Sequence, residues 1–222
     1  MHGDAGLHRS IEVKPTLVVA STRIALGVVC LLCVLAAGPA ADGAGPGPTE
    51  ELKGSIDRVL QVLEDPDLKV EAKAAQRRRS VRQIADEIFD FEEISRRAMA
   101  QHWRSLTPPQ RKEFVDVFSD LLERAYMSKI ELYGGERIQY TGERVEGDFA
   151  TISTRLITKK GTEVPIDYRV LKRGDRWLVY DVSIEGVSLV ANYRTQFNNI
   201  IRTSSYDELL RKMRGRVEEI RP

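Results

Sequence analysis

Apolar residues recur at three- and four-residue steps through the first part of the chain, switch to alternation over residues 137–184, and return to helical spacing afterwards. Leu52, Ile56, Val59, Leu60 and Leu63 predict a helix that Thr49 caps and Pro66 ends. A second helical stretch is expected from Asp67 to Ile88. Asp90 with Glu93 fits a capping box opening a short helix through Ile94, Ala98 and Trp103, and Thr107 with Gln110 repeats the device with Pro108 at the first helical position. That second box opens the longest helix. Its stripe of Phe114, Val117, Phe118, Leu121, Leu122, Ala125, Tyr126, Ile130 and Tyr133 stops at Gly134-Gly135.

The alternating region predicts four strands, from Arg137 to Glu146, Phe149 to Ile157, Thr162 to Leu171 and Trp177 to Ile184. Gly147-Asp148, Lys160-Gly161 and Gly174-Asp175 separate them so closely that only hairpins fit, which makes the sheet an antiparallel meander. In the third strand Val164, Ile166, Tyr168 and Val170 share one face, opposite Pro165, Asp167 and Arg169. The fourth is apolar on both faces and needs cover on each. Beyond Gly186, which allows a sharp bend, a helix from Ser188 to Arg202 presents Leu189, Val190, Tyr193, Phe197, Ile200 and Ile201. Ser205 with Glu208 caps a last helix carrying Leu209, Leu210 and Met213. The fold class is α+β, with N-terminal helices, a four-stranded antiparallel sheet and two closing helices.

Residues 1–40 follow a different pattern. Arg9, Lys14 and Arg23 precede Ile24 to Ala37, fourteen residues without a charge, and small residues with Pro39 follow. This is the arrangement of a secretory signal peptide, with cleavage expected after Ala40 and small side chains at Gly38 and Ala40. An uncleaved anchor would hold Arg23 inside the span, at a cost of about 3 kcal/mol. Residues 41–48, rich in Gly and Pro, read as a flexible spacer, and residues 49–222 as one domain. Cys30 and Cys33 both fall in the leader, after Val29 and Leu32 rather than the small residue of a lipoprotein site, so the exported chain holds by its core alone.

The leader contains three of the 34 basic and two of the 33 acidic residues, which leaves the two signs balanced in the remainder and gives no electrostatic case for nucleic acid. Arg77-Arg78-Arg79 is the one dense basic cluster. It reads as a solvated helix face, with contact to lipid headgroups or an acidic partner as the sharper alternative. His102 is the only imidazole after Ala40 and reads as a capping or packing residue. With no thiol, no serine elbow and no Lys-Ser/Thr after Gly134-Gly135, neither nucleophilic catalysis, a metal site nor a cofactor is expected. Asp167, Asp181 and Glu185 are the remaining acid–base candidates, and ion pairs with Arg169 or Arg194 account for them more simply. The supply of large apolar residues in an exported chain is the unusual feature. An acyl chain of roughly 16 carbons needs on the order of 13 kcal/mol of shelter to cross water, and periodicity alone does not separate a filled core from a lipid-sized hollow.

Specific strings add to this reading: Phe89-Asp90-Phe91, Trp103-Arg104, Thr107-Pro108-Pro109-Gln110-Arg111, Glu113-Phe114, Val179-Tyr180-Asp181-Val182, Ile184-Glu185-Gly186-Val187-Ser188-Leu189, Asn192-Tyr193-Arg194 and Gln196-Phe197. In this order and spacing they resemble the MlaC family, also called toluene-tolerance proteins, over Thr49 to Met213. The resemblance implies a curved sheet like that of nuclear transport factor 2, with helices enclosing a hydrophobic pocket. It also implies a periplasmic carrier that passes phospholipid between an outer-membrane lipoprotein complex and an inner-membrane ABC transporter with its lipid-binding subunit, here as a monomer. By position, Phe118, Leu122, Tyr126, Ile130, Val164, Ile166, Tyr168, Val170, Val187 and Leu189 are expected to line the pocket. Asp181, Gly186, Ser188, Tyr193 and Arg194 belong to the motif, Tyr193 and Arg194 fixing the helix against the sheet or meeting the headgroup. Three alternatives stay open: a carrier of another, hopanoid-type lipid, a lipid-free adaptor, and a small enzyme using Asp167 or Asp181 as a base.

Overall fold

A computed structural model describes residues 45–220, so the expected leader, its cleavage site and most of the spacer lie outside the described residues. The first helix, α1 (Pro48–Glu64), starts at Pro48 with Gly47 before it. Thr49 is therefore inside the first turn and caps nothing; its N–H donates instead to Glu143 Oε2 at 2.9 Å. The single helix expected from Asp67 is broken. A short α2 (Pro66–Lys69) and a 3-10 turn at Glu71–Lys73 precede α3 (Ala74–Ile88), because Val70 between them is extended at φ −66 and ψ 138.

Asp90 caps α4 (Phe91–Met99) by accepting the Glu93 N–H at 2.8 Å, but the box is one-sided. The Glu93 carboxylate is held by Arg96 and Arg97. Ala100, at φ 47, ends α4 in a 3-10 turn that carries Trp103. Thr107 and Gln110 form the full box at the start of α5 (Pro108–Ile130), the longest helix, which stops at Ile130 short of the glycine pair.

Five strands follow in one sheet, not four: β1 (Arg137–Glu146), β2 (Phe149–Ile157), β3 (Glu163–Arg173), β4 (Arg176–Ile184) and β5 (Val187–Ser188). Their order is sequential and every pairing antiparallel. The extra strand arises because Glu185 and Gly186 both take positive φ, 51 and 80, and so make a two-residue turn that returns Val187 onto Ile184. Ser188 is then the cap of α6 (Leu189–Thr203), and Ser205 caps α7 (Tyr206–Glu219).

The apolar side chains divide into two bodies. α4 to α7 enclose Phe114, Phe118, Tyr193, Phe197, Leu209 and Met213. α1 and α3 pack Leu52, Ile84 and Ile88 onto Ala150, Ile152, Val170 and Val179 of the sheet. Phe89 touches both bodies. A small cluster of Leu63, Val81 and Met127 joins α1, α3 and α5. Beside it Arg77 and Arg78 both pair with Glu131, and Arg82 pairs with Asp120 and Glu123. The basic cluster of α3 is thus partly committed to α5 rather than wholly solvated. Among the described residues no helix is long and apolar enough to cross a membrane.

Candidate functional site

The register divides the sheet into cross-strand rows. On one face run Val145–Ala150–Val170–Val179, then Glu143–Ile152–Tyr168–Val182, then Tyr140–Thr154–Ile166–Ile184, and finally Ile138–Leu156–Val164. The opposite face is polar in the rows Arg144–Thr151–Arg169–Asp181 and Gly142–Ser153–Asp167–Ser183 and apolar at one end, in Phe149–Leu171–Leu178. Alternation along each strand produces this two-sidedness directly.

Cover on the apolar face is uneven. α1 and α3 bury the first rows, while Ile138, Leu156, Val164, Ile166 and Ile184 belong to none of the packed cores formed by the described residues. Four of these five are half-buried, and Ile184 is exposed. Ile56, Val59 and Val62 of α1 and Tyr140, Tyr168 and Val182 of the sheet all pack against the covered core at the inner end of this stretch. The result is a half-buried apolar strip, termed the trough, along half of one sheet face. Side chains of this type normally complete a core, and left wet each forfeits about 1.5–3 kcal/mol of burial energy.

The sequence-predicted liners do not all meet there. Val164, Ile166 and Tyr168 do, and burial pushes the Tyr168 phenol up to about 12. Val170 is instead fully buried beneath α1 and α3. Phe118 is 0 % exposed, with its ring centroid 4.9 Å from Tyr193 and 5.0 Å from Phe197, so it fills the helical core rather than lining a pocket. Leu122 is in the same core, while Tyr126 and Leu189 sit at its margin. Ile130 packs beside Leu63, Val81 and Met127. Val187 is 64 % exposed on the short β5. The trough residues Ile138, Tyr140 and Leu156 were missed, although Ile138 and Tyr140 stand two apart in β1 and strand alternation could have found them.

The motif residues hold the architecture. Asp181, 4 % exposed, accepts the Ser188 hydroxyl at 2.6 Å and the Val190 N–H at 3.0 Å, with an Arg169 guanidinium N–H at 3.5 Å. Gly186 makes the β4–β5 turn. Tyr193 is core. Arg194 is exposed and donates to the Arg97 carbonyl at 2.9 Å, so it ties α6 to α4 and not to the sheet. His102 bonds Asn198 at 3.0 Å, as a packing histidine would.

A second concavity, of about 240 Å³, lies at the polar face beside Arg144, Glu146, Phe149, Thr151, Arg169 and Tyr180. Arg97 lies over the Tyr180 ring at 4.0 Å, while its Nε–H donates to Glu93. Burial alone would raise the Glu93 carboxyl, but the hydrogen bonds from Arg96 and Arg97 outweigh it and hold it below the usual range. Ligand pockets run to roughly 300–1,000 Å³ with mainly apolar walls, so this polar cleft is the poorer match for a lipid.

The family model described as MlaC protein matches residues 53–215. The intermembrane phospholipid transport system binding protein MlaC of Haemophilus influenzae is 23 % identical over 175 residues, covering 77 % of this chain and 82 % of that protein. The toluene tolerance protein ttg2D of Pseudomonas putida is 22 % identical over 179 residues, covering 80 % and 83 %. Among solved structures, a phospholipid-binding protein from Ralstonia solanacearum, in complex with a phospholipid, matches with a TM-score of 0.69 at 27 % identity, over 79 % of this chain and 99 % of that one.

Proposed function

This chain belongs to the MlaC family, and from that premise we propose that it binds a phospholipid with its acyl chains in the apolar trough and carries it through the periplasm. The observation that carries the reading is the pair of half-covered rows, Tyr140–Thr154–Ile166–Ile184 and Ile138–Leu156–Val164. Each buried methylene contributes about 0.8 kcal/mol, so covering such a strip with an acyl chain stabilises protein and ligand together. Val164, Ile166 and Tyr168 are the sheet's contribution.

In this reading the leader is cleaved after Ala40 and the exported monomer exchanges lipid with an outer-membrane lipoprotein complex and with the lipid-binding subunit of an inner-membrane ABC transporter. Exchange follows relative affinity and breaks no bond. The names of the relatives, which speak of binding, transport and tolerance, support a carrier rather than a catalyst. So does the engagement of both Asp181 oxygens by Ser188, Val190 and Arg169, which leaves that carboxylate poorly suited to act as a base.

The test is transfer. Protein loaded with a headgroup-labelled phospholipid and mixed with acceptor vesicles carrying the transporter's lipid-binding subunit is expected to deliver the label, and Ile166→Glu to abolish loading while the fold persists. A folded wild-type protein that takes up no phospholipid contradicts the proposal.

A further inference from the structure

Two tyrosine hydroxyls of this fold show what satisfies a phenol. Tyr133 donates to Glu64 at 3.0 Å and Tyr206 to the Gln110 carbonyl at 3.0 Å. The Tyr140 and Tyr193 hydroxyls are both buried with no hydrogen-bond partner among the described residues, but Tyr193 is enclosed in the aromatic core of the helices, whereas Tyr140 stands on the sheet face beside the half-buried rows. Across the strand stands Thr154, whose own hydroxyl is spent on the Ile166 carbonyl at 2.9 Å. A phenylalanine would fill the same space without the desolvation that an unpaired phenol suffers.

Its setting is the trough itself. Tyr140 heads the row Tyr140–Thr154–Ile166–Ile184 and packs at the margin of the sheet core along with Tyr168 and Val182. The β1–β2 register shifts between Tyr140 and Gly142, leaving Thr141 as an extra residue bonded to the Ser153 carbonyl at 3.1 Å. A bulge at this point turns the strand and re-aims the neighbouring side chain, and bulges concentrate beside functional sites. Burial pushes the phenol up, and Tyr168 and Asp57 add to the effect, so the group stays a neutral donor at every physiological pH.

We propose that the Tyr140 hydroxyl donates a hydrogen bond to an ester carbonyl of the bound lipid, and so selects ester-linked acyl chains over ether-linked or purely hydrocarbon ones. The inference rests on the carrier reading and refines it. Among the acceptors of a glycerophospholipid, the ester carbonyl is the one at the head of the acyl chain, where the apolar trough begins to shelter it. The phosphate is the alternative acceptor, but it belongs to the charged headgroup that favours solvent, whereas the Tyr140 hydroxyl is buried. A buried polar group that loses its intended partner discriminates strongly, which is how a single hydroxyl sets selectivity in an otherwise apolar site.

The experiment compares two lipids of identical headgroup and chain length, a diacyl ester and a dialkyl ether, by competition for the delipidated protein. Wild type is expected to favour the ester by about tenfold, and Tyr140→Phe to bind both equally, near the wild-type affinity for the ether. Thermal unfolding of the lipid-free proteins gives a second reading: Tyr140→Phe should be at least as stable as wild type, since no native bond is lost. Equal wild-type affinity for the two lipids, or a preference that survives in Tyr140→Phe, overturns the assignment while leaving the carrier reading intact. Failure of wild type to bind either lipid removes both.

Discussion

Asp181 Oδ2 receives the Ser188 hydroxyl at 2.6 Å, and the same Ser188 oxygen accepts the Ala191 N–H at 3.0 Å. One short relay therefore connects β4 to the first turn of α6, through a serine that also ends β5. Asp181→Ala leaves the Ser188 O–H and Val190 N–H unpaired in a buried place and is expected to cost about 3 kcal/mol, whereas Ser188→Ala costs about 1 kcal/mol as the loss of a cap. Urea denaturation checks both, with a lowered midpoint and an unchanged slope.

Gly186, at φ 80, is the second fixed point of the same turn. A side chain there meets the left-handed penalty of about 1–2 kcal/mol, since the Cβ would crowd the local backbone even though open space surrounds it. Gly186→Val is expected to lower the unfolding midpoint accordingly. An unchanged midpoint would mean that the turn re-forms in another geometry.

The bounds of β1 and β2 were legible because strand alternation and the Gly147 turn are local signals, and the sequential antiparallel order followed from loop length. β5 was not, because two residues show no periodicity, although Glu185-Gly186 is a turn signal. The candidate site was legible by halves. Alternation put Val164, Ile166, Tyr168 and Val170 on one face, but what covers a face is a tertiary property, and α1 with α3 covers Val170 while leaving Val164 and Ile166 half bare. Phe118, expected as a liner, sits in the helical core for the same reason: helical spacing says that it is buried, not that Tyr193 and Phe197 do the burying. Arg77 and Arg78 read as surface charge because Glu131 lies more than fifty residues away in the chain.

That division separates stability from binding. Phe118→Ala opens a cavity in the helical core and is expected to cost about 3–5 kcal/mol, with the folded fraction still loading lipid. Ile166→Glu is expected to cost far less stability and to remove lipid binding. Circular dichroism melts alongside lipid uptake distinguish the two, and the reverse pattern would move the site into the bundle.

Acid should loosen the joint between α3 and α5. Burial would raise the Glu131 carboxyl, but hydrogen bonds from Arg78 and Arg77 outweigh it and hold it below the usual range. A carboxylate with a lowered folded-state value contributes stability that is fully present above its unfolded value, about 4.3, and is lost as pH falls through the folded one. Thermal unfolding midpoints are therefore expected to fall below about pH 4.3, and Glu131→Gln to flatten part of that fall. Identical pH profiles for variant and wild type would show that the pair carries no linkage.

The central claim is that a phospholipid occupies the trough. The most direct measurement is lipid mass spectrometry of the exported protein, purified from a bacterial periplasm under native conditions without detergent. The account predicts phospholipid near one molecule per protein in wild type and none in Ile166→Glu. A wild-type protein that emerges empty and stays empty when phospholipid is added would contradict it.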